Sequence, residues 1–200
     1  MEKIIFAEGD TKTFESNVKV EMDKPIKHFD KELVSIRTGR ASSTLVENLK
    51  VECYGQSMTL KELATLATPD ARLISIQPWD KSIIGEIEKA IKNSDVGINP
   101  VNDGTVIRLQ LPMMSSSRRE ELVKVLGKKT EECKIGIRTV RKEFHNQLRD
   151  AEKSRGISED FAMRLSDLLQ KVTDEFTKKV DGLYDKKEKE LKSIDVKIEG

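Results

Sequence analysis

Lys134, Arg138, Arg141, Lys142, His145 and Arg149 follow one another at steps of four, three and one. At about 100° per residue they share one side of a helix, while Cys133, Ile137, Val140, Phe144 and Leu148 take a second. Glu121, Glu132, Glu143 and Asp150 take a third. From Lys134 to Arg149 the basic sector contains no acid. A merely solvated face interleaves its signs for pairs one turn apart; here the signs are sorted. Sorted cations suit a polyanion, because arginine grips phosphate with a planar fork and a row at helical spacing can follow a nucleic-acid backbone. No aromatic residue stands in the row, so stacking of unpaired bases is disfavoured and phosphate contact with a folded, double-helical RNA or DNA fits better. The other reading is a basic face that pairs with acids of a neighbouring helix.

Covalent chemistry has little to work with. The two histidines, His28 and His145, both lie on charged helical faces. No phosphate-binding GxxxxGKS, dinucleotide GxGxxG or nucleophile GxSxG occurs. Cys53 and Cys133 stand far apart without metal-ligand spacing and are expected as core or strand residues. The chain is therefore expected to be no enzyme and to use no cofactor or metal.

The basic row needs a long, stiff carrier, and the hydrophobic pattern provides one. Phe14, Val18, Met22, Ile26, Phe29, Leu33 and Ile36 mark a first amphipathic helix that stops at Gly39, either kinked at Pro25 or starting there. Leu122, Leu126, Cys133, Ile137, Val140, Phe144, Leu148 and Ala151 carry a second. Ser117 and Glu120 have capping-box spacing at its start, and Gly156 is placed to end it. Ser158 can cap a third, striped by Phe161, Leu165, Leu168, Val172, Phe176, Val180, Leu183, Leu191 and Ile194. Three one-sided helices drawn from both ends of the chain bury their stripes most economically as a bundle.

Between them the period changes. Residues 49–54, 72–78 and 105–111 read as strands, 82–93 as a helix, and the stretch DVGINPVNDG as turn. Trp79 is expected to anchor the core of this small unit. The expected fold is thus α+β, a long three-helix bundle (1–40 and 115–200) with an inserted β/α/β domain (41–114). The joints, 39–43 and 111–115, include Gly39, Ala41, Ser42, Leu111 and Pro112 as hinge candidates.

Of 200 residues, 36% are charged and 4% aromatic, which suits exposed helices; the net charge of +1 excludes any argument from bulk charge. No apolar run reaches membrane-helix length, and MEKIIFAEGD is too acidic for a signal or transit peptide, so a cytoplasmic protein is expected.

Once the residues are placed, IRTGRAS, VECYG, KELA, PWDKS, EKAIKNSDVGINPVNDGTVIRLQLP, RREEL, IRTVRKE and GISED, in this order, give a chain that resembles the bacterial ribosome recycling factors over nearly its whole length. The resemblance implies an L-shaped molecule that binds the post-termination ribosome along large-subunit RNA. With elongation factor G and GTP hydrolysis by that partner, it would split the ribosome into subunits. It implies RNA contacts at Arg37, Arg40, Arg119, Arg138 and Arg141, the last being the position most closely tied to ribosome binding, with Lys142 where arginine is common. A monomer is expected. The rival reading is a helical adaptor or chaperone-like protein whose stripes bind partner helices. An enzyme hidden in the insertion is a distant third.

Overall fold

The structure, a computed structural model, describes residues 5–192; Ile194 of the third stripe lies outside them. The chain divides into two compact units. One gathers the described residues up to Ile36 with Ser117–Lys192, the other Arg37–Ser116.

The first unit is three helices: α1 (Thr11–Ser35), α4 (Ser116–Lys153) and α5 (Glu159–Lys192). At 1.5 Å per residue α4 and α5 are about 57 and 51 Å long. The stripes read from the sequence are their buried faces, with a local shift on α5, where Leu169 rather than Leu168 is fully enclosed. Asp10 caps α1 by accepting from the Thr13 N–H (3.1 Å). The helix ends at Ser35, four residues before Gly39, whose φ of +71° then turns the chain.

Pro25 neither breaks α1 nor starts it. It lies inside the helix and faces α4 where that helix has Gly136: a Cβ added there would stand 3.1 Å from both Cβ and Cγ of Pro25. The Cys133 thiol donates to the Pro25 carbonyl (3.5 Å), and burial pushes that thiol up to about 11, so it keeps its proton. Lys129 pairs with Glu32 nearby. The close approach of α1 and α4 therefore rests on a missing side chain. Alanine normally gains a helix interior about 0.8–1 kcal/mol over glycine. At Gly182, where nothing lies within 4 Å, Gly182→Ala is expected to stabilise by about that amount. Gly136→Ala is expected to have the opposite sign, a net loss of about 1 kcal/mol, as overpacking outweighs propensity. Urea denaturation of the two variants checks the contrast; equal signs would show that α1 yields freely at Pro25.

Two sequence expectations fail at the ends of α4. Ser117 lies inside the first turn and is not its cap. At the other end the left-handed residue is Arg155 (φ +53°), not Gly156. The Arg155 N–H donates to Glu152 O (3.0 Å) and the Gly156 N–H to Ala151 O (2.9 Å), the paired closure of a Schellman turn with glycine one place beyond the strained position. Ser158 does cap α5, accepting from the Phe161 N–H (3.2 Å). Its own N–H (3.0 Å) and hydroxyl donate to Glu8, holding that carboxyl below its usual range.

The second unit has more strands than the three expected. In chain order come β1 (Lys50–Cys53), β2 (Gln56–Thr59), the short α2 (Leu60–Leu63), β3 (Ala64–Asp70), β4 (Leu73–Pro78), α3 (Ile84–Lys92), β5 (Pro100–Asn102) and β6 (Ile107–Gln110). β1 and β2 form a hairpin; the other four form an antiparallel sheet in the order β3-β4-β6-β5. Part of the stretch read as turn is thus strand β5. Asp103, just after it, accepts from the N–H groups of Thr105 (3.0 Å) and Val106 (2.8 Å) and from Arg108 (2.7 Å), which holds its carboxyl far below the usual range. Ile74, Ile76, Ile107 and Leu109 of the sheet and Ile87 and Ile91 of α3 build the core together with Val51, Cys53 and Leu60. Trp79 is not in it. Trp79 is 68% exposed, its Nε1–H donating to Thr65 Oγ1 (3.0 Å).

Candidate nucleic-acid interface

α4 carries the basic row for a local reason. Its buried positions, Leu126, Thr130, Cys133, Ile137, Phe144 and Leu148, fix the rotation of the helix, and that rotation leaves Arg138, Arg141, Lys142, His145 and Arg149 exposed. The Thr130 hydroxyl is satisfied within the helix by the Leu126 carbonyl (2.7 Å), so a polar residue sits in the stripe without distorting it.

The six members of the row are not equivalent. Lys134 is half-buried and its Nζ pairs with Asp181 of α5 at 2.6 Å, so the neighbouring-helix reading holds for this residue. The Arg138 Nη2–H donates to Glu131 Oε1 (2.9 Å). Glu131, two turns before Arg138, thus adds an acid to a sector that is free of acids only from Lys134 onward. Arg141 is held differently: its Nη1–H donates to the amide oxygen of Gln170 on α5 (2.9 Å), and the Gln170 Nε2–H donates to Asp174 Oδ1 (2.9 Å). Among the described residues no carboxylate pairs with Arg141, Lys142 or Arg149.

The remaining candidates lie elsewhere. Arg119 is half-buried near the start of α4. Arg37 and Arg40 are exposed and belong to the second unit, on either side of Gly39. The hinge candidates are tied to that unit as well. The Ala41 N–H donates to Ala71 O (2.7 Å) and the Leu111 N–H to Arg72 O (2.8 Å), so both connections fasten to adjacent residues of the β3–β4 turn. Ser42 accepts from the Thr44 N–H (3.3 Å), Leu111 is buried and Pro112 is exposed. Sequence reasoning missed Gln170, Asp174, Asp181 and Glu131. Only Glu131 was within reach of it, seven residues before Arg138 and hence on the same side of the helix.

Comparison with known proteins bears on this geometry. The family model described as ribosome recycling factor matches residues 29–191. The ribosome-recycling factor of Carboxydothermus hydrogenoformans is 49% identical over 173 residues, 86% of this chain and 94% of that protein. A solution structure of the ribosome recycling factor superposes with a TM-score of 0.69 at 38% identity, over 92% of this chain and 98% of that one. A second solved chain comes from models of the T. thermophilus ribosome recycling factor and the E. coli elongation factor G bound to the E. coli post-termination complex. It gives a TM-score of 0.59 at 37% identity, over 90% of this chain and 98% of that one. A family model that takes in both the small unit and the bundle face carrying Arg138 and Arg141, together with relatives matched along nearly their full length, establishes that the chain belongs to the ribosome recycling factor family.

Proposed function

We propose that the chain is a non-catalytic translation factor that binds the post-termination ribosome through the exposed basic face of α4. With elongation factor G and GTP, it promotes dissociation of the ribosome into subunits. The observation that carries this reading is Arg141, an exposed guanidinium on a rigid 38-residue helix, fixed by a neutral amide and so still able to offer its full charge to phosphate. Large-subunit ribosomal RNA is the polyanion the reading requires, with Arg138, Lys142 and Arg149 as further contacts along α4. Arg37, Arg40 and Arg119 contribute outside that row.

The small unit swings as a body in this reading. Since Ala41 and Leu111 are fastened to its β3–β4 turn, bending falls on 37–40 and 112–115, with Gly39 and Pro112 as the flexible and the stiff element. Cytoplasmic location and a monomeric state complete the proposal; no described helix is long and apolar enough to cross a membrane. The adaptor reading loses its premise, because the stripes that would bind partner helices are already buried against one another.

Purified ribosomes, elongation factor G and GTP test the proposal directly. Subunit splitting should rise with added protein and weaken steeply with salt, as phosphate contacts release counterions. Splitting no greater than in the absence of the protein would refute it.

A further inference from the structure

Helix propensity alone admits Gln170 on α5, but it does not require the two bonds its side chain makes. The residue is exposed on α5, yet both ends of its amide are committed, the oxygen to Arg141 and the nitrogen to Asp174. Only one orientation of the amide satisfies both neighbours, because a guanidinium can only donate and a carboxylate can only accept. Asp174 thereby fixes which way Gln170 points, and Gln170 fixes Arg141.

We infer that Gln170, oriented by Asp174, is a positioning residue that holds the Arg141 guanidinium ready for a backbone phosphate without neutralising it. The contrast lies along the same helix. Lys134 and Arg138 are held by the carboxylates of Asp181 and Glu131, which immobilise and neutralise together. A neutral amide separates the two effects. It removes rotamer freedom before binding, so less is lost when phosphate arrives, and it leaves the guanidinium without a direct carboxylate partner and its other donors available for a bidentate contact. Asp174 exerts its hold from the far side of the amide.

This inference rests on the reading of Arg141 as an RNA contact, and the test keeps the two apart. Ribosome affinity is measured for Gln170→Ala, Gln170→Glu, Arg141→Ala and the double variant Arg141→Ala/Gln170→Ala, with a thermal melt of each. Freeing one immobilised side chain should weaken binding by about two- to tenfold in Gln170→Ala, with the melt unchanged. In the Arg141→Ala background Gln170→Ala should have no further effect. Gln170→Glu, which keeps a partner but supplies a competing charge, should weaken binding at least as much as Gln170→Ala. Loss of affinity that adds to that of Arg141→Ala would overturn the positioning role, and so would wild-type affinity in Gln170→Ala or Gln170→Glu. Wild-type affinity in Arg141→Ala would overturn the underlying reading and the inference with it.

Discussion

Phe144→Ala should destabilise the bundle by about 3–5 kcal/mol, the range for emptying a large aromatic site in a packed interior. Phe144 has no exposed surface and stands mid-stripe on α4. Its ring meets Phe14 of α1 edge to face, with centroids 5.7 Å apart and planes at 88°, and Phe14 in turn contacts Phe6 at 6.0 Å. Such an arrangement adds to area burial because ring edges and faces carry opposite partial charges. Movement of α1 toward α4 is resisted where Pro25 faces Gly136, since a Cβ added there would already stand 3.1 Å from the proline ring. Urea denaturation followed by circular dichroism measures the loss. Leu122→Ala, at a position only partly buried against the same core, should cost clearly less. Equal losses would mean that the cavity at Phe144 closes by movement of α1, and would remove the argument that the helices are fixed in register.

How much was legible differs between the two units for a physical reason. Each bundle helix buries one stripe and exposes the rest, so the period appears in the sequence; even Pro25 left the stripe of α1 unbroken on both sides. The small unit hides more. β2 (QSMT) and β3 (ATLATPD) bury little, and β5 is three residues long and begins with proline, so none shows the alternation that marks a half-buried strand. The β1–β2 turn is Tyr54-Gly55, both with positive φ, and lacks the Asn-Gly or Asp-Gly pair that would signal a hairpin. Trp79 is exposed because of register, although a lone tryptophan suggests a core anchor. With Ile74, Ile76 and Pro78 inward on β4, residue 79 must point out. Arg155 in place of Gly156 is a shift of one residue that only the hydrogen bonds of the turn reveal. On the candidate basic face the cations are legible in the sequence and their partners mostly are not. Gln170 and Asp181 stand on a different helix, and which face of α5 meets α4 is a fact of tertiary packing.

Those partners set the second large effect, a ranking along the basic row. Arg141→Ala should lower ribosome affinity by about 1–3 kcal/mol, the range of a charge-assisted hydrogen bond, or about 5- to 150-fold, without a change in the melt of the bundle. Arg138→Ala should cost less. Its guanidinium must share or leave Glu131 before it meets phosphate, so part of what the mutation removes was already offset within the protein. Lys134→Ala should cost least in binding, since Asp181 holds the ammonium at 2.6 Å, and its effect should fall on bundle stability instead, by no more than about 1 kcal/mol for a partly exposed pair. Salt dependence separates the same three residues. A lost phosphate contact reduces the slope of log affinity against log salt by about one. Arg141→Ala should show that reduction and Lys134→Ala should leave the slope unchanged. If Lys134→Ala weakened binding as much as Arg141→Ala, the charges would be acting as one undivided field, and the intramolecular partners seen here would not determine which cations meet RNA.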